Sequence, residues 1–199
     1  WSAAEEAFTT MLSMKLIPDF QPAPLTQATK AFQDYVMHHI LRKANQRHFP
    51  IQVHTGLQEG NGNVLRHSDP SRLSELFLEY PDIKFDLFHI SYPYQQIAGA
   101  LAKNHPNVYL DMCWAHIISP ALSTRTLYEW LDSVPYNKIS AFGGDYRIID
   151  AVYGHQYLAR RDVTAALTQK IEDGVFGMDE AKMIASALCY ENPCRLFNL

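Results

Sequence analysis

Three polar residues each stand where a short apolar run stops: His54 after Phe-Pro-Ile-Gln-Val, His89 after Ile-Lys-Phe-Asp-Leu-Phe, and Asp145 after Ile-Ser-Ala-Phe-Gly-Gly. Two imidazoles and a carboxylate are a donor set that a divalent cation of the zinc, manganese or iron type accepts. The ends of parallel strands are also where α/β barrels collect their reactive groups. A lone histidine at a strand end is more often structural, but two at equivalent places in successive units point to a shared task. Asp145 reads two ways. Alone it is a turn or helix cap. Beside two histidines it is a metal ligand, or a general base that takes a proton from an attacking water. Gly143 and Gly144 before it would let the backbone turn sharply and approach a ligand closely.

Further candidates lie near these three. Asp111, in Tyr-Leu-Asp-Met-Cys-Trp, also ends a strand; it either orients another ligand or closes a loop. Trp114 is a pocket wall or a core residue. Arg147 either pairs a substrate carboxylate bidentately or faces solvent. The polar stretch from Gln58 to Asn63 suits a substrate loop or lid. The other histidines, at 38, 39, 48, 67, 105, 116 and 155, show no ligand spacing, and most are expected at the surface.

The elements that must position these residues alternate. After a short opening helix comes a loop with Pro18, Pro22 and Pro24, and Thr26 is placed to cap a helix running to about Arg47. Strands follow at 49–53, 83–88, 108–112 and 138–142. Helices are expected at 69–79, 94–103 and 120–131 and over most of 147–190, with a break near Asp173-Gly174. Positions 54, 89, 111 and 145 are separated by 35, 22 and 34 residues, which are βα-unit lengths. Such alternation implies a parallel sheet. Four strands make either a small open sheet or half of an eight-stranded barrel. The absence of Gly-x-Gly-x-x-Gly and P-loop motifs argues against a nucleotide-binding fold.

Composition narrows the function classes. The chain has 199 residues, 47% apolar and 19% charged, with a net charge of −4, which gives no broad basic field for nucleic acid. No apolar run reaches the length of a membrane span. The start has neither the basic residues nor the apolar core of a signal peptide, and no initiator Met, so a trimmed or incomplete start is expected. Cys113, Cys189 and Cys194 cannot pair evenly, which suits free thiols and a cytoplasmic setting.

Several segments together carry a family resemblance: Gln-Val-His-Thr-Gly (52–56), Phe-His-Ile-Ser-Tyr-Pro-Tyr (88–94), Asn-Val-Tyr-Leu-Asp-Met-Cys-Trp (107–114), Phe-Gly-Gly-Asp-Tyr (142–146) and Glu-Asn-Pro-Cys-Arg-Leu-Phe (191–197). In order and spacing they resemble the second half of an amidohydrolase-superfamily barrel, closest to the amidohydrolase 2 group of metal-dependent hydrolases. That group includes decarboxylases, and uronate isomerases are relatives. The resemblance implies an α/β, TIM-barrel-like fold with strands 5 to 8 in residues 26–199, and residues 1–25 as a lead-in. It implies His54 and His89 as metal ligands and Asp145 as ligand and proton shuttle, with His89 also holding water or substrate in one-metal members. The cofactor would be a divalent metal, zinc first, and the substrate a small carboxylate, ester or amide attacked by a metal-bound water.

The chain contains no His-x-His, which the family carries on strand 1, and Lys15 stands in surroundings unlike those of the strand-4 lysine of some members. The resemblance therefore implies that strands 1 to 4 are missing, and that a complementing half-barrel or a second copy of this chain completes the fold. Two other readings stand beside the hydrolase: a decarboxylase or isomerase on the same scaffold, and an inactive assembly module.

Overall fold

The computed structural model describes residues 1–13, 27–58, 60 and 62–199. The expected Pro-rich loop, the Thr26 cap, Lys15, and Glu59 and Asn61 of the polar loop lie outside the described residues. The chain divides into two compact units, residues 1–48 and 49–199. The first pairs helix α1 (Ser2–Ser13) with helix α2 (Gln27–Arg47). Phe8 stacks on Phe32 at 5.5 Å between ring centres, and Trp1 leans on Tyr35 at 5.1 Å.

The second unit is a run of βα units. Strand β1 (Ile51–His54) is followed by a tight helical turn (Pro70–Leu73) and α3 (Ser74–Glu79). Then come β2 (Phe85–Phe88), α4 (Gln95–Asn104), β3 (Val108–Asp111), α5 (Ala115–Ile118), α6 (Pro120–Ser133) and β4 (Ile139–Ser140). Helices α7 (Ile149–Glu172), α8 (Met178–Ser186) and α9 (Asn192–Phe197) end the chain. The strands are parallel and lie in sequence order, β1-β2-β3-β4.

The strands form where expected but are shorter. Only two residues of the expected strand at 138–142 pair as β4, because the backbone beyond Ser140 turns: Ala141 N–H reaches the carbonyl of Leu188. The single helix expected over 69–79 is also corrected. Asp69 caps it, accepting from Ser71 N–H at 2.9 Å, but Pro70 opens a tight 3₁₀ turn and regular helix starts only at Ser74. At α6, Ser119 caps the helix and Pro120 occupies its first turn.

Alternation along the strands sorts the side chains into two faces. Phe85, Leu87, Val108, Leu110 and Ile139 are buried on one. Gln52, His54, Asp86, Phe88, Tyr109, Asp111 and Ser140 share the other, through the pairings Gln52–Asp86, Asp86–Tyr109, His54–Phe88 and Asp111–Ser140. That polar face leads to the strand ends where the candidate residues sit.

Two expected surface histidines are buried instead. His116 and His155 are 0% and 2% exposed. In α7 the inward stripe Ala159, Val163, Ala166 and Leu167 also includes Asp162, 3% exposed. His116 Nδ1 lies 3.0 Å from Asp162 Oδ2, and its Nε2 lies 2.9 Å from the carbonyl of Ala141. The pair thus ties α5 to α7 and to the end of β4. A carboxylate turned onto an apolar stripe requires a buried partner, and His116 is that partner here.

Candidate metal centre

The corners after β2, β3 and β4 are strained. After β2, His89, Ile90 and Ser91 are successively left-handed, with φ of 63°, 54° and 55°. Trp114 after β3 has φ 62°, and Asp145 after β4 has φ 45°. Residues with a Cβ rarely adopt this region, at a cost of roughly 1–2 kcal/mol each, and such strain persists where the surroundings impose it. At the last corner the left-handed residue is Asp145 itself, not Gly143 or Gly144.

The corners lock against one another. Gly56 has φ 72°, and a Cβ there would stand 2.2 Å from the carbonyl oxygen of Tyr92. Thr55 donates to the carbonyl of Phe88 at 3.1 Å, and its hydroxyl lies 2.7 Å from that of Ser91. A Cβ on Gly143 would stand 2.7 Å from Cys113 Cβ, so this glycine serves the contact between the β3 and β4 corners rather than a ligand.

These contacts bring three of the named residues together. His54, His89 and Asp145 each offer a ligand atom, and the three atoms lie within 4.8 Å of one another. His89 Nε2 is 3.0 Å from His54 Nδ1. His89 Nδ1 is 3.3 Å from the carbonyl of Cys113. A carbonyl only accepts, so Nδ1 carries the hydrogen and the Nε2 lone pair faces His54 and the cleft. Burial pushes the His89 pKa below its usual value, and His54 beside it adds to this. The Cys113 carbonyl and Asp145 pull the other way. The net direction keeps the ring neutral and able to ligate. Nitrogen, nitrogen and oxygen donors converging on one point fit a borderline divalent cation.

Asp111 acts on this centre through the backbone. Its Oδ1 accepts the N–H of Cys113 at 2.6 Å, fixing one side of the residue whose carbonyl, on the other side, holds His89. Loop closure and ligand orientation are here one contact. Burial, and then the neighbouring charge of Asp86, raise the Asp111 pKa well above the carboxylate range. Asp86 is itself raised to about 6 by burial, against the opposing bond from Gln52 at 3.1 Å. The Cys113 thiol is pushed up by burial and then by Asp111, which leaves it protonated and a poor nucleophile.

Trp114 is half-buried in the wall of the cleft, not in the core. Its Nε1–H donates to the carbonyl of Asp145 at 3.3 Å, and its ring stacks on Tyr146 at 6.0 Å. Arg147 is exposed and lies outside the residues lining the cavity. The cavity, about 220 Å³, holds the three convergent residues together with Leu57, Gln58, Trp114, Ile117 and Ile118. Ile117 and Ile118 had not been singled out. Their signal was position, since they follow the β3 corner as Leu57 follows the β1 corner.

Sequence comparison decides the family. The amidohydrolase family model matches residues 4–199. The chain belongs to the amidohydrolase family. Among curated proteins, this amidohydrolase chain is 32% identical over 162 residues to Protein fluG of Emericella nidulans, covering 79% of this chain and 18% of that protein. Its fold matches a protein described as a metal-dependent hydrolase from Lactobacillus casei, with TM-score 0.79, 23% identity and coverage of 98% of this chain and 49% of that one. It also matches uronate isomerase from Thermotoga maritima, with TM-score 0.80, 19% identity and coverage of 98% and 46%. The amidohydrolase chain therefore has the fold of part of a TIM-barrel amidohydrolase, and spans about half the length of those structures.

Proposed function

We propose that this amidohydrolase chain supplies the metal centre of a metal-dependent hydrolase acting on a small carboxylate, ester or amide. The observation that carries the reading is the convergence of His54, His89 and Asp145 at three strand ends. A divalent metal held there, zinc first and manganese or iron after it, supplies Lewis acidity that polarises a carbonyl and lowers the pKa of water. His54 and His89 hold the ion, and the Cys113 carbonyl fixes which nitrogen of His89 is free to do so. Asp145 completes the donor set and is the carboxylate placed to accept a proton from attacking water. Trp114, bonded to the Asp145 carbonyl, keeps that corner in place and forms one wall for the substrate.

The matched barrels are about twice as long as this chain, and β1 and β4 lie at the two edges of its sheet. A second set of strands, from a complementing half-barrel or a second copy, would pair at those edges and add to the ligand set. The likeness to uronate isomerase supports a second reading, in which the same groups move protons on a sugar acid. Screening lactones, esters and amides against uronates separates the two.

The test is metal content per chain, by plasma mass spectrometry on protein purified without added metal or chelator. Near-stoichiometric zinc, manganese or iron that is lost in His54→Ala is the expected result. Protein that carries no metal, alone or together with the complementing strands, overturns the reading.

A further inference from the structure

We infer that Asn192 and Pro193 are positioning residues for the metal centre: through a widened turn of the C-terminal helical run they fix the start of the corner that carries Asp145. This rests on the metal-dependent reading above and extends it to the Glu-Asn-Pro-Cys-Arg-Leu-Phe segment at 191–197, which supplies none of the three convergent residues.

Pro193 has no N–H, and in a regular α-helix its ring would press on the carbonyl of Cys189, four residues back. The run from α8 into α9 relieves this by taking up one extra residue. Over Ala187–Glu191 it widens into a single π turn, in which the N–H of Asn192 bonds the carbonyl of Ala187, five residues back. The carbonyl of Leu188 is then left over. Its partner at α spacing, the N–H of Asn192, is engaged by Ala187, and its partner at π spacing would be Pro193, which has no N–H. Leu188 is fully buried, so that oxygen needs a donor from elsewhere in the fold. The N–H of Ala141 meets it at 2.9 Å.

Ala141 opens the corner that leads to Asp145. Its carbonyl accepts from His116 Nε2 at 2.9 Å, so both of its peptide groups are held. Asn192 secures the strand beneath. Its side-chain amide is buried and donates to the carbonyl of Tyr136 at 2.7 Å and to that of Ile139 at 2.8 Å. A strand that pairs over only two residues has little ladder of its own to set its position. The C-terminal segment adds the two bonds from Asn192 and the one to Leu188, and thereby sets the point from which the chain runs out to Asp145.

The test is the zinc affinity of the folded chain, by competition with chelators of graded strength, with the complementing strands present if the chain alone takes up no metal. Pro193→Ala returns an N–H and lets the run go back to α spacing, in which the N–H of Asn192 claims the Leu188 carbonyl and Ala141 loses it. Asn192→Leu removes both side-chain bonds at nearly constant volume. Each variant should bind zinc about 10–100-fold more weakly, the range for residues that hold a ligand in place. Pro193→Ala, at a half-buried position, decides where Asn192→Leu fails to fold. Phe77→Leu, a buried change in α3, controls for lost stability alone and should bind as the unmodified chain does. With the carboxylate removed by Asp145→Asn, adding Pro193→Ala should weaken binding by less than about twofold. Folded variants that bind zinc as tightly as the unmodified chain, or lose no more than Phe77→Leu does, overturn this inference alone. So does a loss from Pro193→Ala that is just as large in the Asp145→Asn background, since the segment would then act on the whole fold. An unmodified chain that takes up no zinc even with the complementing strands overturns the metal-dependent reading, and this inference with it.

Discussion

His54, His89 and Asp145 at the strand ends, and His116, His155 and Asp162 in the layer between α5 and α7, are built from the same residue types. In the first set two of the three side chains are exposed, and three donor atoms face one another. In the second all three residues are at most 3% exposed, and both nitrogens of His116 end on protein acceptors. Among the described residues only the first set gathers ligand atoms closely enough to share an ion. The difference lies in what the backbone claims. A corner after a strand takes one nitrogen of His89 and leaves the other free. In the buried layer α7 takes one nitrogen of His116 and the end of β4 the other, which turns the ring into a cross-link.

The comparison breaks most sharply at the metal. His54→Ala or His89→Ala should abolish near-stoichiometric binding, lowering affinity by more than the ~10–100-fold typical of residues that only support a ligand. His116→Ala should leave the metal content of the folded protein unchanged. Plasma mass spectrometry with chelator competition reads both, and equal losses would mean that the two sets are one site.

Stability should show the opposite ranking. His116→Ala takes the imidazole from the buried Asp162 carboxylate and leaves it only the bond from Arg161 at 2.9 Å, a change that should cost about 1–3 kcal/mol. His54→Ala, at an exposed side chain, should stay within about 1 kcal/mol in the metal-free protein. Urea unfolding of the two variants side by side would show whether that order holds.

The pH dependence separates the regions again. Asp86, on the polar sheet face, has its pKa raised from 3.8 to about 6 by burial, so the folded state binds the proton more tightly. Its contribution to stability is full below pH 3.8 and is lost as pH rises through about 6. Asp111 is raised as well and acts in the same direction. His155 is lowered from 6.5 to about 4, by burial and then by His116. Its contribution is present above 6.5 and is lost as pH falls through about 4. Asp86 and His155 are each worth on the order of 3 kcal/mol, and between pH 4 and 6 those two oppose each other. Asp86→Asn should therefore gain stability relative to the unmodified chain as pH rises from 4 to 7. Urea midpoints that track each other across that range would show that Asp86 is not the titrating group.

The smallest expected effect lies at the joint between corners. Gly143→Ala forces a Cβ to within 2.7 Å of Cys113 Cβ and 3.1 Å of Asp111 Oδ1. The misfit should cost about 1–3 kcal/mol and loosen the Cys113 peptide that holds His89. Thermal unfolding with and without added zinc reads both consequences; a variant as stable and as tightly zinc-bound as the unmodified chain would mean that the joint is slack.

Much of this was legible in the residue order. Apolar runs at βα spacing located the strands and the rule of parallel order. Polar residues at the ends of those runs marked His54, His89 and Asp145, because a strand end is a fixed address in this architecture. Asp69, as a cap before Pro70, was legible for the same local reason. The buried set was not legible. His116 lies on a one-turn helix with no period to read, and Asp162 follows two arginines in a charged run that only the packing of α7 turns inward. Trp114 looked like core because its size and apolarity suit a core equally well.

By itself, then, the sequence determined what depends on neighbours a few residues away: strand, helix, cap and turn, and the placing of each candidate ligand at the end of its strand. Tertiary structure decided what depends on residues far along the chain. It chose which nitrogen of His89 is free, because that is set by a carbonyl 24 residues away. It set Asp86 close enough to Asp111 to add to the rise in the Asp111 pKa that burial begins. It fixed His116 as a cross-link, because Asp162 lies 46 residues beyond it. Protonation, tautomer and burial respond to charge and solvent in three dimensions, and those are properties of the packed chain rather than of its order.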